Sequence, residues 1–168
     1  MVRGFNGRVP KVASTAFISE TAYVVGDVEI GENSNIWPGA VIRGDFGKIS
    51  IGKNTNIEDN SVLHAREDMI VGNHVIIGHG AVVHCREIGN NVLIGNNATV
   101  LDFAEIGNFC MIGAGSLVTI DMKIPDNSLV MGVPAHVKDQ LTEEQVSQLR
   151  QGAASYRKLA QHYRDEGL

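Results

Sequence analysis

Residues 88–118 read IGNNVLIGNNATVLDFAEIGNFCMIGAGSLV, and an aliphatic branched residue returns at every sixth position of this stretch. The same period extends in both directions along the chain, with three changes of register. A 3.6-residue helix would spread such positions around its whole circumference, so a period of six excludes a helix. The repeating positions are Val12, Ile18, Val24, Ile30, Ile36, Ile42, Ile51, Ile57, Leu63, Val71, Ile77, Val83, Ile88, Ile94, Val100, Ile106, Ile112, Val118, Ile124 and Val130.

A period of six is typical of a parallel β-helix, in which three hexapeptides form one coil of a triangular prism. We expect a mainly β fold of about seven coils, with the repeating residue directed into the prism. Glycine or asparagine beside it would supply the positive φ of each corner. The alternative, a β-sandwich of short strands, has no reason to keep a six-residue period. Residues 1–135 are predicted to form this domain.

The segment 136–168 is predicted to be a C-terminal helix packed along the prism. Thr142 and Gln145 have the spacing of a capping box at a helix start. Apolar residues then recur at intervals of three and four, which gives one apolar stripe for contact with the prism. The stripe consists of Val146, Leu149, Ala153, Tyr156, Ala160 and Tyr163.

Composition narrows the classes of partner. The 168 residues carry a net charge of -5 and no basic stripe, which argues against binding to nucleic acid or to an anionic membrane surface. No apolar run is long enough to span a membrane, and the first residues lack the apolar core of a secretory signal, so a cytoplasmic protein is expected. The two cysteines do not suggest a disulfide framework. Cys85 is interpreted as a small buried residue, with metal ligation as the minor alternative.

Three of the six histidines occupy related positions in the repeat. His64 follows Leu63 and His84 follows Val83, so both should lie on one face of adjacent coils, about 5 Å apart. Two imidazoles at that spacing can share a zinc ion. His79 lies near a corner, on the order of 10 Å or more from His84. We therefore expect His79 to reach the pair of a neighbouring subunit, with one shared site at each interface of a trimer.

Two stretches, RGDFGKISIGKNTNIEDNSVLH (43–64) and VIIGHGAVVHC (75–85), together with the closing hexapeptides, resemble the γ-class carbonic anhydrase family, in particular its short members without an acidic loop. The resemblance implies a left-handed β-helix and a homotrimer. It makes His64, His79 and His84 the ligands of Zn²⁺, with Fe²⁺ or Co²⁺ as possible substitutes. The activity implied is the reversible hydration of CO2 to bicarbonate by a metal-bound hydroxide at the trimer interface.

The resemblance also assigns roles to residues around the metal. Asn56 and Glu58 would face the metal-bound water, Glu67 would shuttle protons, and Tyr156 would lie near the metal. The alternatives are a solvated turn charge for Glu67 and plain packing for Tyr156. A charged network would hold the interface and brace the site through Arg43, Asp45 and Asp59. The alternative for these residues is a purely structural cluster of ion pairs.

Two other functions stay open from the sequence. One is an acyl-CoA thioesterase or acyltransferase-like enzyme, because hexapeptide repeats are shared with many acyltransferases. The other is a non-catalytic trimer in which the metal mainly ties the subunits together. The fold alone does not decide among the three.

Overall fold

The chain winds into a parallel β-solenoid of about seven coils, followed by one C-terminal helix. The computed structural model describes residues 1–168, apart from the side chains of residues 153 and 154. The mainly β, prism-like architecture predicted from the six-residue period is confirmed. Most strands are only two residues long, because each face of a coil is one hexapeptide that must turn again at the next corner.

Three faces run along the prism, and each is a ladder of parallel strands. Strands β4 (Tyr23–Ile30) and β6 (Val41–Ile51) pass a corner and so contribute to two faces. The face that we call the histidine face contains β4 and β6 with β1 (Val2–Arg3), β8 (Val62–His64), β11 (Val82–Val83), β14 (Thr99–Val100) and β17 (Leu117–Val118).

The other two faces are named for what lies on them. The charged face continues from β4 and β6 and adds β2 (Lys11–Val12), β9 (Met69–Val71), β12 (Glu87–Ile88), β15 (Glu105–Ile106) and β18 (Lys123–Ile124). The helix face comprises β3 (Phe17–Ile18), β5 (Asn35–Ile36), β7 (Asn56–Ile57), β10 (Ile76–Ile77), β13 (Leu93–Ile94), β16 (Met111–Ile112), β19 (Ser128–Gly132) and β20 (Ala135–Gln140).

The repeating aliphatic residues form the core. On the helix face, Ile57 is in register with Ile36 and Ile77, and all three side chains are fully buried. Equivalent columns fill the prism from the other two faces. Burying an Ile or Val side chain contributes roughly 1.5–3 kcal/mol, so these columns are the main stabilising element of a chain with few aromatic residues.

The φ angles at the corners of the prism differ from the expectation in one respect. Positive φ is supplied mainly by asparagines and by glycines such as Gly80, whereas the glycines that directly follow the repeating residue have no positive φ. Those glycines are required by close approach of neighbouring coils: a Cβ added at Gly72 would lie 2.5 Å from the carbonyl oxygen of Gly89. The asparagines with positive φ are Asn6, Asn33, Asn54, Asn60, Asn91, Asn97 and Asn127.

A ladder of side-chain amides runs down the corner between the charged face and the helix face. Asn73 Nδ2 donates a hydrogen bond to Asn90 Oδ1 at 2.9 Å, and Asn90 Nδ2 donates to Asn108 Oδ1 at 3.0 Å. Each oxygen also accepts a bond from a backbone N–H of the preceding coil. The ladder ends at Asp126, whose carboxylate accepts from Asn108.

The last coil closes with an antiparallel strand. β20 pairs with β19, so residues 136–140, which the sequence placed in the terminal helical segment, are extended. The reason is that the hairpin satisfies the free edge of β19 before the chain leaves the prism.

The helix α1 (Glu143–Asp165) begins with the predicted capping box of Thr142 and Gln145. Leu149 and Ala160 of the predicted stripe are buried, while the side chain of Ala153 lies outside the described residues. The C-terminal half of the helix packs on Phe17 and Trp37. No helix among the described residues is both long and apolar enough to cross a bilayer.

The core assignment predicts a large difference between two isoleucines. Ile77→Ala removes a fully buried side chain and should lower the free energy of unfolding by about 2–5 kcal/mol. Ile70→Ala is the matched control, because Ile70 is 52% exposed on a strand of the charged face and should change stability by about 0.5 kcal/mol or less. Urea denaturation of both variants checks this, and equal losses would contradict the core assignment.

Candidate metal centre

His64 and His84 stack on the histidine face as the register predicts. His64 ends β8, and His84 directly follows β11, the strand that pairs with β8 on the next coil. His64 Nδ1 lies 2.7 Å from His84 Nε2, so these two ring nitrogens face each other directly. Both side chains are partly shielded from solvent, and the pair presents two imidazoles at one point of the surface.

Carboxylates from the coils on either side bracket this pair. Asp45 Oδ1 lies 3.0 Å from His64 Nε2, and Asp102 Oδ1 lies 2.9 Å from His84 Nδ1. Asp45 also pairs with Arg43 at 2.5 Å between Nη1 and Oδ2. Sequence reasoning missed Asp102. Its signal was available, because Asp102 comes two positions after the repeating residue Val100, on the coil that follows His84.

The environment favours a neutral imidazole beside ionised carboxylates. Burial, reinforced by the positive charge of Arg43, lowers the pKa of His64 below its ordinary value of 6.5. Burial opposes ionisation of Asp45, but hydrogen bonds from Arg43 and His64 lower its pKa overall. The hydrogen bond from His84 lowers the pKa of Asp102. Metal ligation by histidine requires this neutral form of the ring.

The donor set fits a metal ion such as zinc. Metal-binding histidines usually donate their second ring N–H to a carboxylate, which is the pattern of His84 with Asp102. Tetrahedral Zn–N bonds of 2.0–2.1 Å place two ligand nitrogens about 3.3 Å apart, so the rings need to separate by well under 1 Å. Among the described residues of one chain, however, no group of three His, Cys, Asp or Glu side chains could hold a metal ion. Within one chain the histidine pair would offer two nitrogens, one fewer than the three protein ligands of a typical catalytic zinc site.

His79 lies at the corner where the helix face meets the histidine face, and its side chain is 55% exposed. Its ring nitrogens face carboxylates of the preceding coil: Nδ1 lies 3.0 Å from Asp59 Oδ2, and Nε2 lies 3.1 Å from Glu58 Oε2. In one chain, the predicted network is thus divided. Asp59 pairs with His79, while Arg43 and Asp45 stand beside His64.

Glu58 is anchored from two sides. It is buried, its Oε2 accepts a hydrogen bond from the backbone N–H of His79, and its Oε1 accepts one from the hydroxyl of Tyr156. Burial and the neighbouring Glu58 raise the pKa of Tyr156, so the phenol keeps its proton. Tyr156 is the point at which the helix contacts this corner. The structure thus brings together three residues that the sequence assigned to one site.

Asn56 is fully buried on the helix face. Its Oδ1 accepts a hydrogen bond of 2.8 Å from Asn35 Nδ2, whereas its own Nδ2 has no hydrogen-bond partner in the part of the chain that the structure describes. A buried amide N–H without a partner costs free energy, which makes this nitrogen a candidate donor to a group outside the protein chain.

Two further residues lie at the corner between the histidine face and the charged face. Glu67 is exposed, lines one small cavity with His84, and has Oε2 3.9 Å from Nη2 of Arg86. Cys85 is buried as expected, and burial raises the pKa of its thiol to about 12.

Comparisons with known proteins identify the family of this chain. A family model described as "Bacterial transferase hexapeptide (six repeats)" matches residues 10–44 and 87–119. A probable carbonic anhydrase of Methanocaldococcus jannaschii is 47% identical over 152 residues, which cover 89% of this chain and 96% of the relative. The chain belongs to the hexapeptide-repeat family that includes the γ-class carbonic anhydrases.

Other relatives extend this family assignment. Gamma carbonic anhydrase 1, mitochondrial, of Arabidopsis thaliana is 38% identical over 167 residues, or 95% of this chain, but the match spans only 61% of the plant protein. The crystal structure of a hexapeptide transferase family protein from Anaplasma phagocytophilum is 40% identical, covers 96% of this chain and 97% of that chain, and superposes with a TM-score of 0.93. The family therefore includes members named for two different chemistries.

The lowered pKa of His64 predicts a pH-dependent stability of the metal-free protein. The folded chain binds a proton at His64 less readily than the unfolded chain does, so this stabilising contribution is present above pH 6.5 and is lost as the pH falls. Urea denaturation in the presence of a chelator, at about pH 8 and about pH 5, should show a smaller loss of stability for His64→Gln than for wild type.

His136→Gln is the control for this measurement, because His136 is an exposed histidine on β20. It should retain the wild-type difference between the two pH values. If His64→Gln also retained the full difference, another group would be responsible.

Proposed function

We propose that this protein is a metal-dependent carbonic anhydrase that converts CO2 and water reversibly into bicarbonate. The metal, Zn²⁺ by preference with Fe²⁺ or Co²⁺ as alternatives, would be held by His64 and His84 of one chain and by His79 of the next chain in a homotrimer. The names of the relatives at 38–47% identity support this activity.

The observation that carries the proposal is the histidine pair with its carboxylates. Two imidazole nitrogens 2.7 Å apart, each ring backed by a carboxylate on its other nitrogen, form a preorganised half of a metal site. Burial lowers the pKa of His64, so its imidazole stays neutral and keeps a lone pair for a metal ion. A structural role alone would not require two adjacent histidines with such partners.

A second copy of the chain would be needed to complete the site, and the histidine face offers a surface on which it could pack. Next to the histidine pair, a row of outward-facing apolar residues runs down the same face, with Tyr23 39% and Val82 40% exposed. Such a contiguous apolar row is typical of a protein interface. Covering it with another copy would bring an exposed corner, such as the one with His79, against the pair. The row consists of Tyr23, Val41, Val62 and Val82 on adjacent strands, and Thr99 separates it from Leu117.

Each residue around the site has a task in this proposal. Zinc held by imidazoles lowers the pKa of a bound water to about 7 and so supplies a nucleophile at neutral pH. Glu58 offers a buried carboxylate that can accept a proton at the interface, while the Tyr156 hydroxyl holds it in place. The Nδ2–H of Asn56, which is buried without a partner among the described residues, would be directed to the metal-bound water. Glu67, exposed beside His84, can pass protons to solvent.

The charged residues have a separate task at the subunit contact. Arg43 pairs with Asp45, which contacts His64 of the histidine pair, whereas Asp59 contacts His79. In the trimer these two groups would face each other across the interface. In the single chain, both ring nitrogens of His79 contact carboxylates, one of Asp59 and one of Glu58. At least one of these contacts would have to break before His79 could bind a metal ion.

Metal content and activity test the proposal together. Wild type, prepared with zinc, should contain about one ion per chain and hydrate CO2 in a stopped-flow assay, whereas His84→Ala and His79→Ala should each lose most of both. His136→Ala should behave like wild type. A metal-free protein without hydration activity would overturn the proposal.

A mixed assembly tests whether the ligands come from different chains. A trimer made only of His79→Ala chains, or only of His84→Ala chains, has no complete site. A trimer that contains both variants has one interface at which an intact His84 meets an intact His79. Random mixing at equal amounts should therefore restore about a quarter of the wild-type zinc content and activity, since one of three sites is complete in three quarters of the trimers. Co-expression with two different affinity tags isolates the mixed trimers, in which about one third of the sites should be complete. Zinc content at the level of the single variants would rule out the shared site.

Acyl-CoA chemistry is the second candidate function. The observation that favours it is the 40% identity and TM-score of 0.93 to a solved hexapeptide transferase family protein. The same preparations should be assayed for acyl-CoA hydrolysis. Hydrolysis without CO2 hydration, lost in His84→Ala, would select this function, and stable metal binding with neither activity would indicate a non-catalytic trimer.

A further inference from the structure

We propose that Asp102 is a positioning residue for His84, which fixes the imidazole so that Nε2 is the nitrogen left for a metal ion. This inference rests on the proposed function, because it gives Asp102 a role toward the metal that His84 would hold. The position lies outside both stretches that carried the family resemblance, on the coil after His84.

The hydrogen bond defines which nitrogen carries the proton. Asp102 Oδ1 lies 2.9 Å from His84 Nδ1, and an ionised carboxylate can only accept, so the proton sits on Nδ1. The lone pair of a neutral ring is then on Nε2. Nε2 is the nitrogen that lies 2.7 Å from His64, at the point where the two rings meet. The tautomer that Asp102 selects is therefore the one in which His84 can bind metal beside His64.

The backbone holds Asp102 in a defined place. It lies in a tight turn in which Ala104 N–H donates to the carbonyl of Leu101 at 3.3 Å and Phe103 takes a positive φ of 62°. The carbonyl of Asp102 accepts a hydrogen bond of 3.1 Å from Asp121 N–H on the next coil. With its backbone bonded from the following coil, Asp102 directs its side chain to the preceding one.

A surface ion pair does not explain this carboxylate. The only cation near Asp102 among the described salt bridges is Arg66, whose Nε lies 3.6 Å from Oδ1 and whose side chain is 74% exposed. Exposed pairs of this kind contribute little, typically about 0–1 kcal/mol. The shorter, more buried contact to His84 is the stronger one, since the His84 and Asp102 side chains are only 24% and 21% exposed.

Metal affinity measures the effect of this contact. In competition with a chromophoric chelator, Asp102→Ala should bind zinc roughly 10–100-fold more weakly than wild type, the usual cost of removing such a partner. Asp102→Asn should lie between them, because its amide oxygen accepts the same hydrogen bond without a charge. Glu105→Gln is the matched control: it removes a carboxylate from the same coil that pairs with Arg86 and Lys123, and it should keep wild-type affinity.

The histidine tautomer gives a second measurement that needs no metal. Nitrogen-15 NMR of the metal-free, histidine-labelled protein should show His84 protonated at Nδ1 in wild type and in Glu105→Gln, with a shift toward Nε2 protonation in Asp102→Ala. If the alanine variant does not fold, Asp102→Leu provides the test, because its side chain has no acceptor for the Nδ1–H. Unchanged zinc affinity and an unchanged tautomer in a folded variant without an acceptor at position 102 would overturn the inference. A wild type that binds no zinc would instead overturn the proposed function, and the positioning role toward a metal with it.

Discussion

Backbone hydrogen bonding between successive coils is the constraint on which the rest of this molecule depends. Each short strand is tied in parallel register to the strands before and after it, so residues at equivalent places of the repeat lie directly above one another. Asn35 stacks on Asn56, and Arg43 stacks on His64, by this rule alone. A shift of one residue would turn every side chain to the opposite side of its strand. The position of the histidine pair is thus a property of the whole ladder of coils.

The two halves of the candidate site differ in how firmly they are held. His64 ends one strand of the histidine face and His84 directly follows the next, and both lie between carboxylates from the adjoining coils. His79 stands at an exposed corner, held by side chains that it must leave in order to bind a metal ion. If the metal joins the two halves, then metal affinity and subunit association are thermodynamically linked, and each strengthens the other.

The repeat in the sequence was sufficient to predict the prism, its core residues and the contact between His64 and His84, because parallel register converts spacing directly into distance. The capping box likewise predicted where the helix begins. Other features depend on contacts between coils that no local pattern records. The role of Gly72 is close approach to the next coil and not a positive φ. The register could have located Asp102, which reaches His84 from a turn 18 residues away. The extended segment before the helix was missed because it forms by pairing with the free edge of β19.

The amide ladder at the corner of the charged and helix faces bears on the length of the prism. An asparagine both accepts and donates, so a ladder of asparagines can pass from coil to coil without an end. Asp126 accepts from Asn108 but has no N–H to donate onward. Together with the antiparallel strand β20 over the neighbouring edge, this carboxylate makes the last coil unsuited to receive another. The amide ladder therefore ends at the same level as the prism, because its last member is a side chain that only accepts.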